Sequence, residues 1–368
     1  MKILLVIPTV HGGGAEQVAA VLAREWSSAH LLRVMAWHVG AEQLDFGVPV
    51  EDLRLPAQTS ASAKLRVFRR RVELVGQAVE GFRPDVVMAF MDEAGLVCSA
   101  AALAGGWRER LIVSMHHNPR WLGRSRRLLL AAAYRVPAAV VGVSQGVRSE
   151  MARSLHLDPI RLHDIPNPLV LRDDEGEQAS RAVAARFAPG FLLFVGRLDR
   201  HTKGLDTLID AFASLPRERP PLVIVGDGPD RAWLDGEVGR RGLADVHCVG
   251  WQADPHPFYR RAGVFVMSSR FEGWSNVLME AMGQGCPVVA TDCPYGPAEI
   301  LGQEFQALQV PVDEPARLAA AIERLVALGD AGRRELGQSL RRRASRFAAP
   351  DVAARWLALA ASLPGRHT

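Results

Sequence analysis

The sequence predicts an α/β chain of two doubly wound, Rossmann-like domains, and three observations lead there. Short, near-continuous apolar runs alternate with helical patterns from end to end, as parallel strands buried on both faces do. A length of 368 residues exceeds one ordinary core and suits two domains of similar size. A stretch rich in proline and charge, IPNPLVLRDDEGEQAS, breaks the alternation within 164–190 and marks the boundary.

In chain order, a strand at 2–7 precedes a helix at 15–26, and strands at 86–90, 111–115 and 139–143 precede helices at 94–104, 128–134 and 147–155. After the break, strand-like runs recur at 191–195, 221–225, 246–249, 264–267 and 287–291, with a helix beginning near Leu205 after the first of them. The spacing predicts domains at 1–167 and 168–348, then a closing segment 349–368 with an apolar-faced helix at 349–361. In open α/β sheets ligands bind beyond the carboxyl ends of the strands, so residues just after strands are the candidates for function.

The most informative of these lies in RFEGWSNVLMEAMGQGCPVVAT, where Glu272 and Glu280 bracket the start of a short helix. Ser275 is placed to cap that helix, Asn276 and Val277 to open it, and Val277, Leu278, Ala281 and Met282 to form its buried face. A helix start of this kind presents backbone N–H groups and the positive end of the helix dipole to an anion. Upstream, FVGRLDRHTKG puts Arg197 and Lys203 in a loop between strand and helix. Arg197 can hold phosphate oxygens with a fork and Lys203 adds a compact charge, so a diphosphate is neutralised without a metal. The two carboxylates are acceptor groups suited to hydroxyl-rich rings, one for a sugar and one for a ribose. Taken alone, the charged residues 197–203 equally describe a solvated loop. Glu280 stands in an apolar stretch with no helical ion-pair partner three or four residues away.

The chain resembles the retaining, GT-B-fold glycosyltransferases of family four, the group 1 glycosyltransferases of bacteria. FVGRLDRHTKG and EGWSNVLMEAMGQGCPVVATD carry the likeness in the second half, and MKILLVIPTVHGGGAEQVAAVLA, LIVSMHHNP, VVGVSQGVRSEM, IPNPL and VIVGDGPDR extend it, in family order, over nearly the whole chain. The resemblance implies two domains facing a cleft, with the last helix crossing back to the first domain. It implies transfer of a hexose or N-acetylhexosamine from a nucleotide-diphosphate sugar, with retention, to an acceptor hydroxyl. His116 matches the family's histidine near the transferred sugar. Gly13, Gly14 and Glu16 match its donor loop, as do Arg197, Lys203, Glu272, Ser275, Asn276, Val277 and Glu280 in the second domain. Ser144 and Asn167 also match positions lining the cleft, though helix capping or a turn explains each as well. His117 stands where the family often has an acid or asparagine. The forms EGWSNVLMEAM and TDCPYGPAEIL resemble members that act on surface polysaccharides, which favours UDP over GDP and a lipid-linked or surface-polysaccharide precursor as acceptor.

Other classes fit less well. A dinucleotide fingerprint needs glycine where Gln17 stands, no GK[ST] occurs, and a plain tight turn remains open for Gly12 to Gly14. No DxD pair occurs, so no metal or other cofactor is expected. The four cysteines, Cys98, Cys248, Cys286 and Cys293, lack zinc or disulfide spacing, which suits a reducing cytoplasm. The N-terminal apolar run is short and broken by Pro8, which reads as a buried strand rather than a signal peptide. Two basic stretches, Lys64, Arg66, Arg69, Arg70, Arg71 and then Arg120, Arg124, Arg126, Arg127, Arg135, suit an anionic membrane surface, or simply a solvated face of a protein with net charge +4. No nucleic-acid-reading motif accompanies them. Peripheral attachment at the inner face of the cell membrane is therefore expected, and the rival readings are a UDP-sugar epimerase of the same fold and a silent nucleotide-sugar-binding protein.

Overall fold

The computed structural model describes residues 1–40, 44–55, 61–171 and 177–364. The chain divides into two compact units, Met1–Pro168 with Ala349–Thr368, and Leu169–Ala348. Residues 172–176 of the proline- and charge-rich boundary stretch, and 365–368 of the closing segment, lie outside the described residues.

In the first unit β1 (Lys2–Thr9), β2 (Leu31–His38), β3 (Val50–Asp52), β4 (Val86–Phe90), β5 (Leu111–Met115), β6 (Ala139–Gly142) and β7 (Leu162–Asp164) form one sheet in the order β3-β2-β1-β4-β5-β6-β7. Every neighbouring pair is parallel. β4 and β5 are buried along their whole length, which is why they read as unbroken apolar runs. Pairing of β1 with β4 stops at Val6, so Pro8 lies beyond that ladder and does not interrupt it. Ile3, Leu5 and Ile7 share a core with Val18, Leu22 and Trp26 of the helix Gly14–Ser27. The helix Ala349–Ala361 completes the same core with Val352, Trp356 and Ala360. Trp26 Nε1 donates to the Ala353 carbonyl at 3.3 Å, and the Trp356 and Phe90 rings lie 5.3 Å apart.

In the second unit β8 (Leu192–Val195), β9 (Leu222–Val225), β10 (Val246–Gly250), β11 (Val264–Met267), β12 (Val288–Thr291) and β13 (Gln309–Val310) form a sheet in the order β10-β9-β8-β11-β12-β13. These pairs too are parallel. Leu192, Phe194, Ile224 and Val266 pack with Leu205, Leu208, Ile209 and Phe212 of the helix Leu205–Ser214.

Four strands escape the sequence reading. β2 carries Arg33 and is half exposed at its start, while β3, β7 and β13 have only two or three residues each, too few for a pattern. The stretch read as an uninterrupted break also holds a helix, Glu177–Arg186.

In each sheet the order turns at the unit's first strand, with β1 between β2 and β4 and β8 between β9 and β11. Chains leaving the two strands at such a point diverge, which opens a crevice at the carboxyl edge of that sheet. Because Trp356 is 2% exposed and fills the first unit's core, Trp356→Ala should cost that unit about 3–5 kcal/mol of stability. Thermal unfolding identical to the parent's would contradict this packing.

Candidate functional site

At the turning point of the second sheet, the loops after β8 and β11 are tied together by three contacts. Lys203 Nζ lies 2.7 Å from Glu272 Oε1. Ser268 Oγ donates to the Lys203 carbonyl at 2.8 Å. Gly204 has φ 61°, and a side chain there would put its Cβ 2.2 Å from the Ser268 carbonyl oxygen, so the close approach requires glycine. Lys203 ends the short helix Arg200–Lys203, whose start is capped by Asp199 accepting from the Thr202 N–H at 2.9 Å. That backbone bond, with help from the charge of Arg197, outweighs burial and holds the Asp199 carboxyl below its ordinary range. Glu272 is nearly buried and also accepts from Ser269 Oγ at 2.8 Å. Arg197 stands exposed two residues past β8.

Arg270, which the sequence did not single out, fastens the same two loops. Its backbone N–H donates to the Thr202 carbonyl at 2.9 Å and its guanidinium to the Arg200 carbonyl at 2.9 Å, while the same side chain pairs with Asp206 at 2.8 Å and Asp313 at 2.5 Å. Glu280 lies on the helix Asn276–Gly283, where its Oε2 accepts from the Tyr259 hydroxyl at 3.1 Å. Tyr259 belongs to a different helix, His256–Arg261. Burial, then the Glu280 charge, pushes its hydroxyl pKa well up, so it remains a donor.

Two local expectations are corrected here. Ser275 occupies the cap position, but its hydroxyl makes no capping bond; it is buried and, among the described residues, without a partner. Val277 is half-buried, and Met279 takes its place on the buried face with Leu278, Ala281 and Met282. Met279 Sδ receives the indole N–H of Trp274 at 2.9 Å, an arrangement that fixes the approach to the helix.

In the first unit the loop after β1 brings Gly13, Gly14 and Glu16 together. Gly13 precedes the helix Gly14–Ser27, and a Cβ on it would fall 2.3 Å from Glu16 Oε2, so the glycine makes room for that carboxylate. Glu16 is buried and accepts from Thr9 Oγ1 at 2.8 Å. His116 follows β5, its Nε2 2.9 Å from Ser114 Oγ and its ring 5.6 Å from Phe90. Its Nδ1 is shielded and has no partner among the described residues. Burial, then the neighbouring His117, pushes the His116 pKa down to about 3 against the opposite pull of Asp92. The ring is neutral at physiological pH.

His117 instead faces Asp92, with Nε2 3.3 Å from Oδ2. Asp92 is 4% exposed and also receives Arg126 at 3.3 Å and the Tyr134 hydroxyl at 3.5 Å. Burial raises its pKa, but the hydrogen bond and charge of His117 and the charge of Arg126 win, and the net shift is downward. Met91, between β4 and Asp92, has φ 72°, a strained value for a non-glycine residue. Sequence reading named His117 and Arg126 but missed Asp92 and Tyr134, and the one local signal for the cluster was an acid two positions past the end of β4. Ser144 caps the helix Gln145–Ser154 by accepting from the Val147 N–H at 3.0 Å, and Asn167 is buried. Cys98 is fully buried in the core. Among the described residues no three His, Cys, Asp or Glu side chains are grouped to hold a metal ion.

Residues 12–172 match the family described as Glycosyltransferase Family 4, and residues 189–327 match that described as glycosyl transferases group 1. The chain is similar to a lipopolysaccharide core biosynthesis glycosyltransferase, LpsD, of Rhizobium meliloti, with 30% identity over 78% of this chain and 80% of that protein. It is 26% identical, over 99% of each chain, to a Campylobacter jejuni α-1,4-N-acetyl-D-galactosaminyltransferase acting on a diphospho-undecaprenol-linked glycan. Among solved structures, Anabaena HepE in complex with UDP and glucose superposes with TM-score 0.82 at 21% identity, covering 99% of this chain and 100% of that one. The two Rossmann-like units therefore have the GT-B fold.

The His116 pKa lies below its unfolded value near 6.5, so its burial adds stability that is full above about pH 6.5 and lost as pH falls toward about 3. His116→Asn should flatten that part of a melting-temperature profile. An unchanged slope between about pH 3 and about pH 6.5 would count against a ring kept neutral by its surroundings.

Proposed function

Because this chain belongs to the group 1 glycosyltransferases of family 4, we propose that it moves a hexose or N-acetylhexosamine from a UDP-sugar, with retention and without a metal ion, to a hydroxyl of a lipid-linked or surface-polysaccharide precursor. The observation that carries this reading is the Lys203–Glu272 pair at the turning point of the second sheet. A largely buried ion pair between the segments that follow two strands costs desolvation that packing does not require. It is well explained as a cation and an acceptor held ready for a ligand bearing phosphate next to hydroxyls.

The arriving diphosphate takes the Lys203 ammonium, and Arg197, exposed on the same loop, adds a second cation. Glu272 is thereby released to accept hydroxyls of the sugar, while Tyr259 keeps Glu280 oriented for the ribose. The leaving diphosphate gains charge as the glycosidic bond breaks, so the two cations and the start of the helix Asn276–Gly283 stabilise the transition state more than the bound donor. The departing phosphate then accepts the acceptor's proton, which explains why no dedicated base is needed. In the first unit His116, being neutral, suits a hydrogen bond to a sugar hydroxyl rather than proton donation. UDP is supported by the nucleotide in the HepE complexes, and a lipid-linked acceptor by the substrate named for the Campylobacter relative. We place the reaction at the cytoplasmic face of the membrane, where such acceptors are exposed.

Incubation with a panel of UDP- and GDP-sugars tests this. Slow hydrolysis of one UDP-sugar, unaffected by EDTA and accelerated by a lipid-linked acceptor, is the expected result. Epimerised donor, or binding without turnover, would replace the reading with an epimerase or a silent binder. Lys203→Ala should slow turnover by about 10²–10³-fold, while Glu280→Ala should chiefly weaken UDP binding. Parent-like rate and affinity in both would remove the site assignment.

A further inference from the structure

We propose that a cavity in the first unit binds an N-acetylated hexosamine of the acceptor glycan, with its acetamido carbonyl taken by Trp37 and Arg71. The proposal rests on the reading of this chain as a glycosyltransferase, and names the class of acceptor sugar that it recognises.

The cavity, of about 1080 Å³, lies at the carboxyl edge of β1, β2 and β3, against the helices Ala61–Phe82 and Met91–Gly105. Its size reaches the upper end of ordinary small-molecule sites, about 300–1,000 Å³. Trp37 and Arg71 wall it together with Phe68, Leu96 and Glu93. Thr9 lines it as well, and its hydroxyl donates to Glu16 at 2.8 Å, so the cavity adjoins the glycine loop after β1. In the sheet order β3-β2-β1-β4-β5, β1 stands two strand spacings, about 10 Å, from the strand that His116 follows. The cavity therefore suits a part of the acceptor beside the reacting hydroxyl rather than that hydroxyl itself.

Two N–H donors give the cavity its chemistry. Trp37 is 2% exposed, and its Nε1 has no hydrogen-bond partner among the described residues. The same holds for Arg71 Nε, although the Arg71 guanidinium is paired with Glu93 and lies 5.1 Å from the Trp37 ring centre. A shielded N–H without an acceptor is costly, so two of them on residues of one cavity wall point to a ligand that brings an acceptor oxygen. Among sugar substituents, a hydroxyl brings a hydrogen of its own, and a carboxylate is set against the charge of Glu93. An acetamido carbonyl has two lone pairs and no charge, and its methyl group fits the apolar wall of Phe68 and Leu96. Glu93, half exposed, keeps lone pairs for ring hydroxyls. Also on the cavity wall, Arg54 is held at φ 48°, a strained value for a non-glycine residue, with its backbone N–H on Asp52 at 2.9 Å. Strain of this kind collects where ligands are clamped.

Saturation-transfer NMR of the full chain with the methyl glycosides of N-acetylglucosamine, N-acetylgalactosamine, glucose, galactose and glucuronic acid tests the proposal, with melting temperature and UDP affinity as controls. The parent should bind the two acetylated glycosides about threefold or more tighter than the plain hexosides, with the strongest transfer to the acetamido methyl group. Trp37→Phe should lower that affinity about three- to tenfold, the loss of one hydrogen bond, and so narrow the preference. Because Trp37 is buried, Leu96→Trp serves as a second variant. It fills the cavity from a half-buried wall position and should abolish binding of every glycoside while UDP affinity stays unchanged. No preference for the acetylated glycosides in the parent, tighter binding of the glucuronide, or parent-like binding in both variants overturns the proposal. Should sugar binding be absent while UDP-sugar turnover persists, the cavity assignment falls and the transferase reading stands. Selective binding that both variants remove, without turnover of any donor, keeps the cavity and removes the transferase reading.

Discussion

The Lys203–Glu272 ion pair is the constraint that holds together the loops following β8 and β11 in the second unit. A sheet whose order turns at β8 sends the chains after β8 and β11 apart, and something must hold their ends at a fixed spacing. The pair does so together with Gly204, Ser268 and Arg270. Side-chain exposures of 20% and 9% mean that neither charge is well hydrated, so each is tolerated because the other is present. Removing one leaves a buried charge uncompensated, which is more damaging than the loss of a surface pair. The same economy makes the ammonium transferable. On the proposed function, a ligand bringing two phosphate charges would offer Lys203 more than Glu272 does, and would leave the carboxylate with free acceptor capacity beside it.

The first unit uses a related device with different groups. Asp92 is nearly buried at the end of β4 and gathers His117, Arg126 and Tyr134 around one carboxylate. Met91 immediately before it is held at φ 72°, a conformation costing about 1–3 kcal/mol. The surrounding contacts fix that conformation by pinning the next residue from three directions. Two adjacent histidines therefore have divided environments, with His116 turned to Ser114 and Phe90 and kept neutral, and His117 turned to a carboxylate.

What the sequence made legible follows from what was local. Strands such as Val86–Phe90 and Leu111–Met115 were readable because both of their faces are buried, so composition alone marks them. Edge strands of two or three residues carry no period to read. The motif residues Lys203 and Glu272 were readable as types in order, and the fold brings them into contact over a separation of 69 residues. Their supporting partners were not, because Arg126 reaches Asp92 across 34 positions and Tyr259 reaches Glu280 across 21, distances that no helical spacing rule covers. Ser275 failed in the opposite way. Its residue type suits a cap, but its hydroxyl is buried without a partner, and residue type carries no information on that.

The core of the first unit is finished by residues at the far end of the chain, since Val352, Trp356 and Ala360 pack where Trp26 and Phe90 wait. On the ribosome the order of completion is therefore inverted. The unit Leu169–Ala348 is contiguous and can close as it emerges, whereas the unit begun before it keeps an open apolar seam until residues 349–361 have been made. A nascent chain of this protein thus carries, uncovered while the second unit is being made, the seam that Val352, Trp356 and Ala360 will fill.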